Sequence, residues 1–117
     1  MKEARGEAFG RAFEHFILME LWAYRAYAEK DYKVRFWRTK SGYEVDFILG
    51  EGEVAVEVKG TSRVDASDLK AIKAFAAERS PRECIVVCNE DRPRQHEQIT
   101  LLPWREFLKR LWEGDVI

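Results

Sequence analysis

The sequence predicts an α/β fold with a mixed central sheet flanked by helices. Three observations predict it: an N-terminal stretch with apolar residues at helical spacing, a central third that alternates between apolar and polar residues, and a later uninterrupted apolar run that follows a second helical pattern. The predicted order is helix, three strands, helix, strand, a further short strand and a C-terminal helix. Because 117 residues suit one domain, we expect a single domain over residues 1–117.

A long helix is predicted first, over Glu3–Glu29. Its apolar residues recur at three- and four-residue spacing, and it contains no proline. Three strands come next, and the short turns TKSG and GEGE between them predict an antiparallel meander. We place these strands at Tyr32–Arg38, Tyr43–Leu49 and Val54–Lys59.

The middle of the chain predicts a parallel crossover. A second helix is expected over Asp68–Ser80, with Asp65 or Ser67 as its N-terminal cap. The run Glu83–Asn89 follows it and is apolar without alternation, which is typical of a strand buried on both faces. A helix between two strands favours a parallel pairing of the third strand with this fourth one.

The last part of the chain predicts a loop, a strand and a helix. Residues 89–98 are polar and predict a loop, while Ile99–Pro103 predicts a short edge strand. Pro103 suits the first position of a helix and Gly114 suits its end, so the C-terminal helix is placed between them.

Composition limits the classes of function. The net charge is −1, so any attraction to nucleic acid or a membrane has to come from a local patch. No run is long and apolar enough to span a bilayer, and the first ten residues lack the apolar centre of a signal peptide, so we expect a cytoplasmic protein. Cys84 and Cys88 lie too far apart along one strand to form a disulfide, which predicts two buried free thiols.

Charged residues interrupt the second and third strands where burial is expected to be deepest. Alternation places Val45 and Phe47 on one face of the second strand and Asp46 on the other. The four-residue turn GEGE brings Asp46 opposite Glu57, and Lys59 shares the face of Glu57. Two opposed carboxylates repel each other unless a cation lies between them.

Two interpretations of these charges are equally supported by spacing alone. One is a hard divalent cation, Mg²⁺ or Mn²⁺, held by one or two carboxylates with Lys59 pointing into the same space. The other is a surface salt-bridge cluster, which would pair Glu57 with Lys59 or Asp46 with Arg38. Glu14 lies beside the apolar stripe of the first helix, either at the edge of the stripe or buried with a partner, and by itself it is more typical of the edge. Together with Asp46, Glu57 and Lys59 it adds a third acidic group and favours the cation site.

Three motifs in order, GRAFEHFI, FWRTKSGYEVDFIL and VAVEVKG, resemble the PD-(D/E)XK nuclease superfamily. The closer similarity is to a domain of unknown function at the C-terminus of many archaeal and bacterial AAA+-type ATPases, and it covers nearly the whole chain. The resemblance implies a restriction-endonuclease-like αβββαβ core and a Mg²⁺-dependent (or Mn²⁺-dependent) nuclease that hydrolyses phosphodiester bonds of DNA.

The resemblance also implies a role for each motif residue. Asp46 and Glu57 would be metal ligands, with the backbone carbonyl of Val58 as a candidate third. Lys59 would be the catalytic lysine, and Glu14 would support the metal or its water. The sequence has no G-x-x-x-x-G-K-[ST] loop, so we expect no nucleotide site in this chain; an ATPase or a second copy of the chain is the candidate protein partner.

The segment Tyr32–Tyr43 contains basic and aromatic residues and no acidic one. This combination suits phosphates and bases, and Arg38 and Lys40 lie nearest to the acidic residues, so both are candidate nucleic-acid contacts. The plainer interpretation of the rest of the segment is a solvated strand face. The basic residues of 92–96 form a second candidate rim, for which ordinary polar surface is the more common explanation.

Two hypotheses from different classes follow. The first is a Mg²⁺-dependent nuclease, which the complete set Glu14, Asp46, Glu57 and Lys59 favours. The second is a catalytically silent module that keeps the fold and docks nucleic acid or an ATPase partner. The absence of a strongly basic net charge and of a substrate-specific motif favours the second.

Overall fold

The computed structural model describes the backbone of residues 2–117 and the side chains from Ala8 onward. Three α-helices and six strands alternate in the predicted order of helix, three strands, helix and strand, so the predicted α/β class is confirmed. In chain order the elements are α1 (Lys2–Tyr27), β1 (Val34–Arg38), β2 (Glu44–Leu49), β3 (Val54–Val58), α2 (Lys70–Arg79), β4 (Glu83–Cys88), β5 (Arg94–His96), β6 (Ile99–Pro103) and α3 (Trp104–Trp112).

The strands form one mixed sheet in the order β1-β2-β3-β4-β6-β5. The first three strands make the predicted antiparallel meander. The connection through α2 then makes β3 and β4 parallel, as predicted, and β6 lies parallel to β4 on its other side. The central strands β3 and β4 therefore pair on both edges. Their residues are buried on both faces of the sheet, which explains why they are apolar except at Glu57 and at Glu83, where β4 begins.

Helices cover both faces of the sheet. The inward stripe of α1 packs with α3 on one face, around Ile17, Phe107 and Leu111. On the other face, α2 packs Ile72 and Phe75 against the sheet. Each face thus has its own apolar cluster, and β2 and β3 contribute alternate residues to both.

Two details at the C-terminal side of the sheet differ from prediction. The polar segment predicted as a loop contains the short strand β5, which is the edge strand. Consequently β6 is a strand, as predicted, but is not an edge strand, because it pairs with β4 on one side and β5 on the other. Pro103 ends β6 and caps α3 instead of forming its first turn.

A β-bulge breaks the predicted alternation in β2. Arg35 pairs with Ile48 but Trp37 pairs with Val45. Two residues of β2, Asp46 and Phe47, therefore lie opposite one residue of β1, Phe36. As a result Val45 joins the cluster on the α2 face, whereas Phe47 joins the cluster on the α1 face. The prediction that these two side chains share a face was wrong, and the extra residue lies at Asp46–Phe47.

The start of the second helical segment is capped as predicted by Asp65. Its carboxylate accepts hydrogen bonds from the backbone N–H groups of Ser67 and Asp68, and the Asp68 carboxylate accepts one from the backbone N–H of Asp65. This capping box begins a single 3₁₀ turn, Ala66–Leu69, which precedes α2.

Both cysteines are buried free thiols, as predicted. No helix among the described residues is long and apolar enough to cross a bilayer.

Candidate functional site

The backbone pairing of β2 and β3 stops just before the predicted acidic residues. It runs from Leu49–Val54 to Phe47–Val56, the register that the four-residue turn predicts. Beyond that point the backbone N–H groups bond to side chains instead of to the other strand's carbonyl groups. The backbone N–H of Asp46 donates to Glu57 Oε1 at 3.0 Å, and the N–H of Val58 donates to Asp46 Oδ2 at 2.7 Å. The two carboxylates therefore lie between the strands instead of facing each other across a regular pair.

Lys59 completes a charged group at this end of β3. Its Nζ lies 3.6 Å from Glu57 Oε2, and its backbone N–H donates to the carbonyl of Val87 at 2.9 Å. The main chain of Lys59 is thereby fixed by β4, while its side chain remains about one-third exposed. One of the two ion pairs that the salt-bridge interpretation names, Glu57 with Lys59, is present, but Glu57 is only 4% exposed, so it is not a surface pair.

Glu14 reaches the same cluster from α1. Its carboxyl group shares a hydrogen bond with the carboxyl of Asp46, which is the main reason that its pKa is raised to about 7. Partial burial and the negative charges of Asp46 and Glu44 raise it further. A hydrogen bond between two carboxyl groups requires a proton on one of them, and the raised pKa indicates that Glu14 holds it.

Burial raises the pKa of the other two carboxyl groups. For Asp46 it reaches about 6, because burial and the charge of Glu57 outweigh the hydrogen bonds from Glu14 and Val58. The pKa of Glu57 is also raised by burial, against the opposing effect of the Lys59 ammonium. Three acidic groups with raised pKa values in one cluster mark it as a candidate functional site.

The cluster opens onto a cleft of about 330 Å³ at this end of the sheet. Asp46, Glu57, Val58 and Lys59 line it, as do Glu44 and the residues that begin the second helical segment: Ser67, Asp68, Lys70 and Ala71. Sequence reasoning missed these last residues as part of the site. The capping signal at Asp65 located the helix start but gave no indication that the crossover brings it above β2 and β3.

The predicted nucleic-acid contacts lie outside this lining. Arg38 Nε forms an ion pair with Glu44 Oε1 at 2.7 Å, not with Asp46, and its guanidinium lies over the ring of Phe36. Lys40 is exposed in the turn that follows. Both are near the cleft in sequence, since Glu44 lines it, but neither contributes to its wall.

In the second predicted rim, residues 92–96, Arg94 has a structural role. Its guanidinium is bound to Glu90 at 2.8 Å and to the carbonyl of Val64 at 2.8 Å, which ties two loops together. Arg92 is exposed beside it. Both arginines line a separate cleft of about 870 Å³, which shares no lining residue with the acidic one.

The donor chemistry of the acidic cluster fits a hard divalent cation. All candidate ligands are oxygen atoms, and carboxylates are among the ligands that such an ion prefers. The described geometry offers two carboxylates, Asp46 and Glu57. Among the described residues, no group of three or more histidine, cysteine, aspartate or glutamate side chains is arranged to hold a metal ion.

A comparison with protein families gives one match. Residues 9–107, which include every predicted site residue, match the family described as Domain of unknown function (DUF4143). The chain belongs to this family. DUF4143 domains occur in proteins associated with AAA-type ATPases, which agrees with the closer of the two predicted resemblances. Neither the curated proteins nor the solved structures provide a significant match to this DUF4143 domain.

Proposed function

We propose that this DUF4143 domain is a Mg²⁺-dependent nuclease of the PD-(D/E)XK type, which hydrolyses phosphodiester bonds of DNA. One observation carries the proposal: the carboxylates of Asp46 and Glu57 and the ammonium of Lys59 meet at the wall of a cleft, with Glu14 hydrogen-bonded to Asp46. It supports the proposal because carboxylate oxygens suit a divalent cation and an adjacent ammonium suits a phosphate oxygen.

Each residue has a definable task in this proposal. Asp46 and Glu57 would hold Mg²⁺, with the carbonyl of Val58 as a further candidate ligand. When bound, Mg²⁺ supplies Lewis-acid polarisation and neutralises phosphate charge. Lys59 would donate a hydrogen bond to a phosphate oxygen and stabilise the negative charge that develops during hydrolysis. Glu57 keeps the ammonium oriented through its Oε2 contact, and Glu14 holds the proton that it shares with Asp46.

A second candidate function is a silent module that keeps the fold and docks nucleic acid or an ATPase partner. A specific observation favours it: Asp46 and Glu57 each use one carboxylate oxygen to accept a backbone N–H, which leaves fewer oxygens for a cation. In that case the carboxylates serve to end the β2–β3 ladder. The two candidates differ in whether the domain cleaves DNA in a metal-dependent and Lys59-dependent reaction.

Metal binding is the first test, because it requires no choice of substrate. Titration calorimetry with Mn²⁺ and with Mg²⁺ should give saturable binding to the wild type and none to Asp46→Asn. Asp91→Asn is the matched control, since it makes the same chemical change at an exposed loop residue and should bind like the wild type. An absence of binding in all three proteins would contradict the proposed metal site.

Cleavage is the second test. Linear, nicked and single-stranded DNA would be incubated with Mg²⁺, with and without a chelator. Lys59→Ala should lower the cleavage rate on the order of 100-fold or more, while Lys109→Ala, at an exposed position of α3, should leave it unchanged. Metal binding without chelator-sensitive cleavage of any of the three DNA forms would favour the silent module. Equal rates for Lys59→Ala and wild type would show that a contaminant or another residue cleaves the DNA.

A further inference from the structure

Helix α1 has a second apolar stripe, called the outer stripe here, which adjoins the inner one: Phe9 stacks on Phe13 and Phe16 packs against Trp104 of α3. Its inner stripe, which includes Phe13, Ile17 and Leu21, is buried against the sheet and α3. The outer stripe is exposed and follows a spacing of three and four residues without a break: Phe9, Ala12, Phe16, Met19, Ala23 and Ala26. That spacing is the seam of a two-helix coiled coil, and an exposed apolar stripe of this length is normally covered by a partner.

The exposed area is large enough for a specific interface. Phe16 is 40% exposed, Trp22 47% and Tyr27 78%; the last two flank the stripe on either side. Together with Phe9 and Trp112 they expose on the order of 500 Å² of aromatic surface, since each such side chain has roughly 150–250 Å² to bury. Met19 and the alanines bring the face to the ~600 Å² per partner at which specific protein interfaces begin.

From this face we propose that the DUF4143 domain forms a twofold dimer in which the outer stripe of α1 packs antiparallel against the same stripe of a second copy. The inference is independent of the proposed nuclease function.

The order of large and small residues selects the antiparallel arrangement. The bulky members, Phe9, Phe16 and Met19, lie in the first part of the stripe, and the alanines Ala23 and Ala26 lie in the last part. A parallel pair would place bulky residues together at one end and alanines at the other, so the helices would splay. In the antiparallel pair, Phe9 meets Ala26, Ala12 meets Ala23 and Phe16 meets Met19. The two ends of the stripe then have the same helix separation, and the bulkiest layers lie at its centre. Antiparallel helix dipoles also attract each other.

Sedimentation over a range of concentrations tests the dimer. The wild type should pass from 13.8 kDa to twice that mass as the concentration rises. Ala23→Glu should weaken the dimer on the order of 100-fold, because it places an unpaired carboxylate in an apolar seam. Ala77→Glu makes the same change at an exposed position of α2 and should dimerise like the wild type. Circular dichroism would verify that both variants keep their helices.

Disulfide trapping tests the direction of the helices. Ala12→Cys mixed with Ala23→Cys should give a linked heterodimer under mild oxidation, while neither variant alone should link efficiently. The two native cysteines are buried, so the wild type under the same oxidation shows how much linking occurs without the introduced cysteines. A 13.8-kDa monomer at every concentration would overturn the proposal and leave the face to a different protein partner. A dimer that survives Ala23→Glu, or that links through identical positions, would overturn it as well.

Discussion

The two ends of the β2–β3 hairpin differ in their hydrogen bonds. At the turn end, called the closed end, backbone groups of the two strands pair with each other, whereas at the other end, called the open end, carboxylates accept the backbone N–H groups. Leu49 and Val54 pair at the turn end, and both are completely buried in the cluster on the α1 face. At the other end Asp46 and Glu57 accept hydrogen bonds that a regular ladder would give to carbonyl groups. The comparison shows that one pair of strands can contribute buried apolar side chains at one end and charged side chains at the other. This is possible because the backbone hydrogen bonds between the strands stop before the strands end.

The largest effect is expected from breaking the closed end. Leu49→Ala should lower the free energy of unfolding by about 3 kcal/mol, because it removes a fully buried side chain and leaves a cavity. Urea unfolding monitored by tryptophan fluorescence would measure the loss. Phe36→Ala on the neighbouring strand removes a larger side chain that is 68% exposed, and it should change the stability by less than about 0.5 kcal/mol. Similar losses in both variants would contradict the assignment of the core.

The open end should make stability depend on pH. The folded chain holds protons at Asp46 and Glu14 more tightly than the unfolded chain, since their pKa values are raised to about 6 and about 7. The contribution of these groups to stability is therefore complete below about pH 4 and falls as the pH rises to about 7. Asp46 alone accounts for about 3 kcal/mol, and the more exposed Glu14 for less, because solvent screens it.

Asp46→Asn would test this pH dependence directly. The substitution removes one ionisable group and, with it, the main cause of the raised pKa of Glu14. Unfolding free energies measured between pH 4 and pH 8 should therefore vary less in this variant than in the wild type. Asp91→Asn should retain the wild-type slope. A slope that is the same in all three proteins would mean that other groups cause it.

A smaller effect is expected in the turn that closes the hairpin. Gly50 has a φ of +71°, and a Cβ atom there would lie 2.3 Å from Glu53 Oε1, so the Glu53 side chain would have to move. Gly50→Ala should lower the stability by about 1 kcal/mol. Gly10→Ala is the informative counterpart: Gly10 lies in α1 with open space around it, and alanine there should raise the stability by up to ~1 kcal/mol. Thermal unfolding of both variants would show whether the signs are opposite.

The smallest change in stability is expected from Glu44, which lies beside the open end. Glu44→Gln breaks an exposed ion pair with Arg38, and the stability should change by less than about 0.5 kcal/mol. The same change removes one of the negative charges that raise the pKa of Glu14. Carboxyl titration by NMR should therefore show a lower pKa for Glu14 in this variant than in the wild type. An unchanged value would mean that Glu44 is too well solvated to act on Glu14.

Much of the fold could be predicted because the sequence repeats with clear periods. The helical spacing of α1 and the valines of β3 are regular, and the GEGE turn fixed the register from Leu49–Val54 to Phe47–Val56. The acidic cluster followed from that register. The β-bulge could not be predicted, since it places two residues opposite one and the sequence of β2 carries no separate sign of it.

Other parts of the fold and site depend on distant contacts. The edge strand β5 has three polar residues and no alternation, so nothing in its sequence distinguishes it from a loop; only its pairing with β6 defines it. Likewise Ser67 and Lys70 reach the cleft because the crossover folds over β2 and β3. A local pattern cannot report such placement, which is set by the packing of α2 on the sheet.

The contact between the two ends of the chain has a consequence for synthesis on the ribosome. Glu20 of α1 accepts a hydrogen bond from the indole of Trp112 at 3.0 Å, and the rings of Tyr24 and Trp112 meet edge to face. Because α1 is synthesised before α3, this part of its surface stays uncovered until α3 has left the ribosome. During that interval α1 exposes apolar residues that α3 covers in the folded domain, and exposed apolar surface of this kind favours aggregation.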